Sequence, residues 1–177
     1  MRYYYTPYVQ SPPFQLPMVP PHSLANQQKR EQEAQQDDDK IGKVSKREKR
    51  DIQKAINDEY TAIQYYTRLA QLAPIEKAKE EILGIRQDEI RHFYQFTKSF
   101  YQLSGKYPKL NIFNQQFPNS YRQGLRESIR DETETAPFYF SIASRTNDLK
   151  IKRRFTQAAF DEQRHAQILQ RLLEELK

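Results

Sequence analysis

Asp88-Glu89-Ile90-Arg91-His92 returns 73 positions later as Asp161-Glu162-Gln163-Arg164-His165. In each copy Glu and His stand at i and i+3, which on an α-helix puts both side chains on one face about one turn apart. From that spacing a helix presents two ligands to one metal ion. A second pair shares the offset, with Asp58-Glu59 ahead of the first pentapeptide and Asp131-Glu132 ahead of the second. Each half of the chain therefore reads Glu, 29 residues, Glu-x-x-His. One such pattern would be weak, since Glu-x-x-His also forms surface pairs and a His on an apolar face is usually core. Two in register, using two of the chain's three histidines, make an internal repeat with an implied pseudo-two-fold axis. His22, the third histidine, is assigned no role.

Around these motifs the apolar residues recur at helical spacing. Ile52, Ala55, Ile56, Glu59, Ile63, Tyr66, Leu69 and Ala70 predict a first helix from about Val44 to just before Pro74. Pro74 suits the N1 position of a second helix, whose inward residues Ile75, Ile82, Ile85, Glu89, Phe93, Phe96 and Phe100 lead to Ser104-Gly105. A third runs from about Ser120 to Arg145 with Leu125, Ile129, Glu132, Tyr139 and Ala143 inward and Pro137 inside it, where a kink is expected. Asp148 is the expected N-cap of a fourth, which carries Phe155, Ala158, Ala159, Glu162, Ala166, Leu169 and Leu172-Leu173. The short links make two antiparallel hairpins. Between them, residues 105–119 lack any period; about fourteen extended residues reach roughly 46 Å, enough to pass a 28-residue helix of roughly 42 Å. The crossover therefore starts the third helix at the opposite end of the bundle.

Each of Glu59, Glu89, Glu132 and Glu162 falls near the middle of its predicted helix at a position that must face inward. Four carboxylates in one core layer repel each other and cost several kcal/mol each in desolvation. Two divalent cations would offset them, with His92 and His165 binding as neutral imidazoles.

Composition narrows the alternatives. The chain has 177 residues and no cysteine, which excludes a disulfide framework, an iron–sulfur cluster and a thiol catalyst, and leaves any metal to oxygen and nitrogen ligands. No apolar stretch approaches the roughly 20 residues that cross a bilayer, and no secretory leader is legible, so no membrane partner and a cytoplasmic location are expected. A net charge of +6 is dispersed over helix faces, which argues against nucleic acid as a partner. Residues 1–43, with Tyr3, Tyr4, Tyr5, Tyr8, the pairs Pro12-Pro13 and Pro20-Pro21 and a run ending in Asp37-Asp38-Asp39, show no period and are expected to form a disordered extension. Residues 44–177 are expected to form the bundle.

The doubled Asp-Glu-x-Arg-His motif, each copy about thirty residues after an acidic residue, resembles the ferritin-like di-iron carboxylate proteins, and most closely the rubrerythrin-like branch, over residues 45–177. The resemblance implies an all-α, ferritin-like antiparallel four-helix bundle in which Glu59, Glu89, His92, Glu132, Glu162 and His165 are both metal ligands and catalytic residues, with Glu89 and Glu162 bridging two iron ions; manganese suits the same donors. It further implies that Asp161 accepts from His92 and Asp88 from His165, with Arg91 and Arg164 paired to those aspartates. Two departures stand out. Rubrerythrins proper carry a cysteine-ligated iron domain, so here electrons would come from an external donor. They also carry a Glu three residues after the third-helix ligand, where this chain has Thr135; Glu134 is one residue off and is expected to point elsewhere.

The function implied is an oxidoreductase acting on O2 or H2O2, with Tyr66 and Tyr139, two turns from Glu59 and Glu132, able to hydrogen-bond the site or be oxidised. Two alternatives stand beside it: an iron or manganese binding or storage module without turnover, and a structural protein of the spore-coat kind whose extension contacts an assembly, which would make it spore-associated. A homodimer is a further expectation.

Overall fold

The computed structural model describes residues 46–111 and 116–176. The expected extension over residues 1–43, and the first two residues of the expected bundle, lie outside the described residues. Four helices make up all the regular structure among the described residues: α1 (Lys46–Gln71), α2 (Glu76–Ser104), α3 (Tyr121–Arg145) and α4 (Leu149–Glu174). α1 packs on α2 and α3 on α4, and the two hairpins meet through α2 on α4 and α1 on α3. Asp51 near the start of α1 pairs with Arg145 at the end of α3, and Tyr65 near the end of α1 bonds Glu127 near the start of α3. Every neighbouring pair is thus antiparallel. This is the ferritin-like bundle of two hairpins and one long crossover.

The ends of the helices follow local chemistry. α1 buries the stripe from Ile52 to Ala70 that its period requires and closes with turn bonds from Leu72 and Ala73 to Leu69 and Ala70. Pro74 does not occupy N1. It precedes an extended Ile75 (φ −138°, ψ 152°), which is the N-cap residue, and the helix begins at Glu76, whose charge suits the positive end of the helix dipole. Ile75 consequently stands 56% exposed rather than facing the core. Gly105 ends α2 at φ 67°, a left-handed conformation that costs glycine little, and its N–H bonds Tyr101 O at 2.9 Å. Ser120 caps α3 by accepting from Gln123 N, and Asp148 caps α4 by accepting from Lys150 N and Ile151 N. α3 carries Pro137 in its interior without ending.

The crossover is tied along α1. Gln53 donates to Lys109 O at 2.9 Å and accepts from Lys109 N at 3.1 Å, and Asn57 Oδ1 accepts from Asn111 N at 3.2 Å. Further on, Pro118 is buried against Gly124, where an added Cβ would stand 2.9 Å from Pro118 Cβ and 2.5 Å from Leu69 Cδ1, so glycine is what admits the crossover to the α1–α3 seam.

Two apolar plugs fill the bundle on either side of its middle. At one end Phe96 and Phe155 stack with centroids 4.0 Å apart and Tyr139 sets its edge against both. At the other, Leu69, Ile82, Ile85, Leu125, Leu169 and Leu172 form an aliphatic cluster. Each such fully buried side chain contributes about 1.5–3 kcal/mol.

Candidate metal centre

Between the plugs lie Glu59, Glu89, Glu132, Glu162, His92 and His165, none more than 6% exposed. Each is mid-helix because the hydrophobic stripe that brings its helix to the axis passes through it. They sort into two overlapping sets: Glu59, Glu89, His92 and Glu162 offer donor atoms within 4.8 Å of one another, and so do Glu89, Glu132, Glu162 and His165. Glu89 and Glu162 belong to both sets. A divalent ion about 2.0–2.2 Å from each donor holds its donors about 3 Å apart. Four of the six spacings here match, and the two to Glu59 and Glu132 are longer. His92 Nδ1 lies 3.1 Å from Glu89, 3.2 Å from Glu162 and 3.7 Å from Glu59, while His165 Nδ1 lies 3.0 Å from Glu89, 3.2 Å from Glu162 and 3.9 Å from Glu132.

The opposite ring nitrogens are held from behind. His92 Nε2 meets Asp161 Oδ2 at 3.1 Å and His165 Nε2 meets Asp88 Oδ2 at 3.2 Å, each aspartate coming from the other hairpin. A carboxylate on Nε2 fixes its proton there and leaves Nδ1 as the free donor toward the glutamates. Arg91 bridges the two aspartates at 2.5 and 2.8 Å, and Arg164 does the same at 2.5 and 2.8 Å. The result is a closed ring of two arginines and two aspartates over the α2–α4 seam.

On the α1–α3 side, the tyrosines cross between halves. Tyr66 donates to Glu132 Oε1, and Tyr139 donates to Glu59 Oε1 at 2.6 Å. Beyond them a cavity of about 500 Å³ opens outward, with all four glutamates among its lining residues. Thr135 lines it too. So does Glu134, which is exposed and joins neither donor set.

Burial pushes the Glu59 carboxyl well above its usual range, with Glu89 adding to the effect; Glu132 is raised likewise, by burial and by Glu162 and Glu89. For the histidines burial works against the charged form but loses. The surrounding carboxylates of Asp161, Glu162 and Glu89 hold His92 well above its ordinary value, and those of Asp88, Glu162 and Glu89 hold His165 at about 11. Asp88 is partly desolvated yet sits at about 2, because His165 and Arg91 stabilise its anion. The cluster therefore demands positive charge, from protons or from cations.

Two oxygens speak for cations. Glu89 Oε1 and Glu162 Oε1 are buried and have no hydrogen-bond partner among the described residues. Each stands near a histidine Nδ1 of the other hairpin, at 3.0 Å for Glu89 and 3.2 Å for Glu162, but with the ring proton held on Nε2 that nitrogen has no hydrogen to donate. Leaving a buried carboxylate oxygen unpaired costs about 1–3 kcal/mol or more. Oxygen and imidazole donors fit iron or manganese equally. The buried cluster thus fits a di-metal carboxylate site.

Tyr65, Glu127 and Lys54 were not singled out from the sequence. Tyr65 OH donates to Glu127 at 2.5 Å, and Lys54 bonds Asp58 at 2.5 Å, both at the edge of the cavity region. Only the i, i+4 spacing of Lys54 and Asp58 was visible in advance.

The chain has relatives. The chain is 43% identical to Uncharacterized protein YhjR of Bacillus subtilis (strain 168) over 119 residues, which cover 66% of this chain and 80% of that one. A hypothetical protein from Pyrococcus furiosus superposes with a TM-score of 0.65 over 77% of this chain and 92% of its own, at 22% identity, which speaks to the fold alone. The family model described as Rubrerythrin matches residues 52–173, a span that reaches into all four helices and holds all six residues of the cluster, and the chain belongs to the rubrerythrin family.

Proposed function

We propose that the protein is a di-metal oxidoreductase that reduces O2 or H2O2 with electrons from an external donor, iron being the metal. The observation that carries this reading is the pair of four-donor sets sharing Glu89 and Glu162. When bound, two ferrous ions supply two electrons and open coordination positions to a dioxygen or peroxide molecule. The chain's own part is to build and hold the donors. Glu89 and Glu162, which belong to both donor sets, would be shared by the two ions, Glu59 and Glu132 would each hold one and are steadied by Tyr139 and Tyr66, and the histidines would ligate through Nδ1 while Asp161 and Asp88 keep the Nε2 protons. The ring of Asp88, Arg91, Asp161 and Arg164 covers the α2–α4 side, so small oxidants would approach from the α1–α3 cavity. The 177 residues hold no cysteine, so they supply no thiolate-ligated centre to deliver electrons.

A second reading, metal holding without turnover, is favoured by Thr135 standing where rubrerythrins proper place a further carboxylate. The two separate on one measurement. Anaerobic loading with two ferrous ions per chain followed by H2O2 or O2 gives fast oxidation, seen in the near-ultraviolet, and repeated cycles with added reductant; loading without such oxidation would favour the storage reading. His92→Ala and His165→Ala each lower the bound metal below two ions per chain. An unchanged value in both would mean that the ligands are misassigned.

A further inference from the structure

The protein carries a formal charge of +6, yet among the described residues the cavity over the cluster is lined by seven carboxylates and one ammonium group. Four of the carboxylates are the cluster glutamates; the other three, Asp58, Asp131 and Glu134, stand farther out, with Asp58 on α1 and the other two on α3. Asp58 and Asp131 are equivalent in the 73-residue repeat, so the mouth carries a carboxylate on both sides, with Asp131 paired at 3.3 Å to the exposed Arg130 beside it. The one ammonium among the described lining residues is Lys54 on α1. Its Nζ bonds Asp58 at 2.5 Å and sits 5.0 Å from the centroid of the Phe138 ring on α3, so the side chain reaches across the mouth. The repeat equivalent of Lys54 is Glu127, which is engaged with Tyr65 and does not line the cavity. At the floor wait Glu89 Oε1 and Glu162 Oε1, buried and unpartnered.

We propose that this mouth admits divalent cations to the cluster, with Asp131 and Glu134 drawing them in and Lys54 as a displaceable bar. The inference rests on the metal-centre reading above. A carboxylate-lined concavity in an otherwise cationic protein focuses potential that attracts a divalent cation and repels anions. An arriving ion takes over Asp58, and Lys54 swings to solvent, where 62% of its side chain is already exposed. From there the path descends past Thr135 to the unpartnered oxygens. The α2–α4 side offers no such path, because its two aspartates are each bonded to both arginines.

The test is metal uptake by the full chain after chelation, with cobalt(II) mixed in a stopped flow and binding followed by its ligand-field absorbance at low and high salt. Wild-type protein takes up two cobalt ions per chain. The double variant Asp131→Asn/Glu134→Gln takes up the same two ions, but roughly tenfold more slowly at low salt, with the difference shrinking at high salt. Lys54→Met takes them up severalfold faster. Two cobalt ions bound at wild-type rates in both variants would overturn the inference while leaving the metal centre intact. Saturation of the double variant below two ions would overturn it as well, since those residues would then hold metal rather than admit it. No cobalt uptake by the wild type would sink the metal-centre reading, and this inference with it.

Discussion

Phe96 and Phe155 stack at one end of the site, while the positions equivalent to them by the repeat, Leu169 and Ile82, fill the other end. Each half supplies one large residue and one smaller one, and antiparallel packing of α2 on α4 gathers the two phenylalanines together. The ionisable residues behave differently. Asp88, Glu89, Arg91 and His92 have identical counterparts in Asp161, Glu162, Arg164 and His165, and the distances between them agree to about 0.1–0.2 Å across the axis. Apolar positions need only fill volume, and many combinations do so. A donor atom that must meet an ion, a proton and a neighbour in fixed directions has no such freedom.

The largest test of this contrast is Phe155→Ala. It removes one ring of the stack and leaves Phe96 and Tyr139 facing a void, so chemical denaturation is expected to show a loss of about 3–5 kcal/mol. Ile82→Ala at the equivalent place removes less volume and is expected to cost about 2–4 kcal/mol. Equal losses would mean that the two plugs are energetically alike despite their chemistry. A smaller effect is expected behind the histidines. Asp161→Asn and Asp88→Asn each weaken the orientation of one imidazole, and loss of such a partner typically lowers metal affinity about 10–100-fold. Symmetry predicts equal losses, but the Asp161 side chain is 2% exposed and that of Asp88 19%, so water can replace part of what Asp88 provides. Competition titration with a chelator should therefore place Asp161→Asn toward the larger figure. The reverse order would show that burial does not govern these contacts.

Much of the site was legible because ligation demands particular residue types at particular helical spacings, and the repeat made chance unattractive. The exchange of aspartates between halves came only through resemblance, since nothing in the local pattern says which carboxylate lies behind which imidazole. Pro74 was misplaced by a different cause. Both Pro74 and Glu76 are good openers of a helix, and the choice fell to the extended backbone of Ile75, which also turned that side chain outward. The cavity mouth was not legible. Its makers, Lys54, Asp58, Asp131 and Phe138, have ordinary surface spacings, and only the register between α1 and α3 brings them together.

The tyrosines sharpen the contrast at its smallest scale. Tyr66 and Glu59 share a face, but two helical turns separate them by about 10.5 Å along the axis, beyond a phenol's reach to its own glutamate. The antiparallel partner helix brings Glu132 to that level, and by the same operation Glu59 to Tyr139. Removing either hydroxyl strips one buried carboxylate of its protein donor without changing the ring's packing, so Tyr66→Phe and Tyr139→Phe are each expected to cost about 1–2 kcal/mol in metal affinity. Their ring surroundings differ, with Tyr139 against Phe96 and Phe155 and Tyr66 edge-on to Tyr65 within the aliphatic cluster. If the polar layer alone sets the site, the two variants lose affinity equally and the double variant loses the sum. A loss at Tyr139 several times that at Tyr66 would mean that the aromatic plug reaches into the ligand field through Glu59, and the separation between a symmetric polar layer and freely varied apolar ends would then fail at that residue.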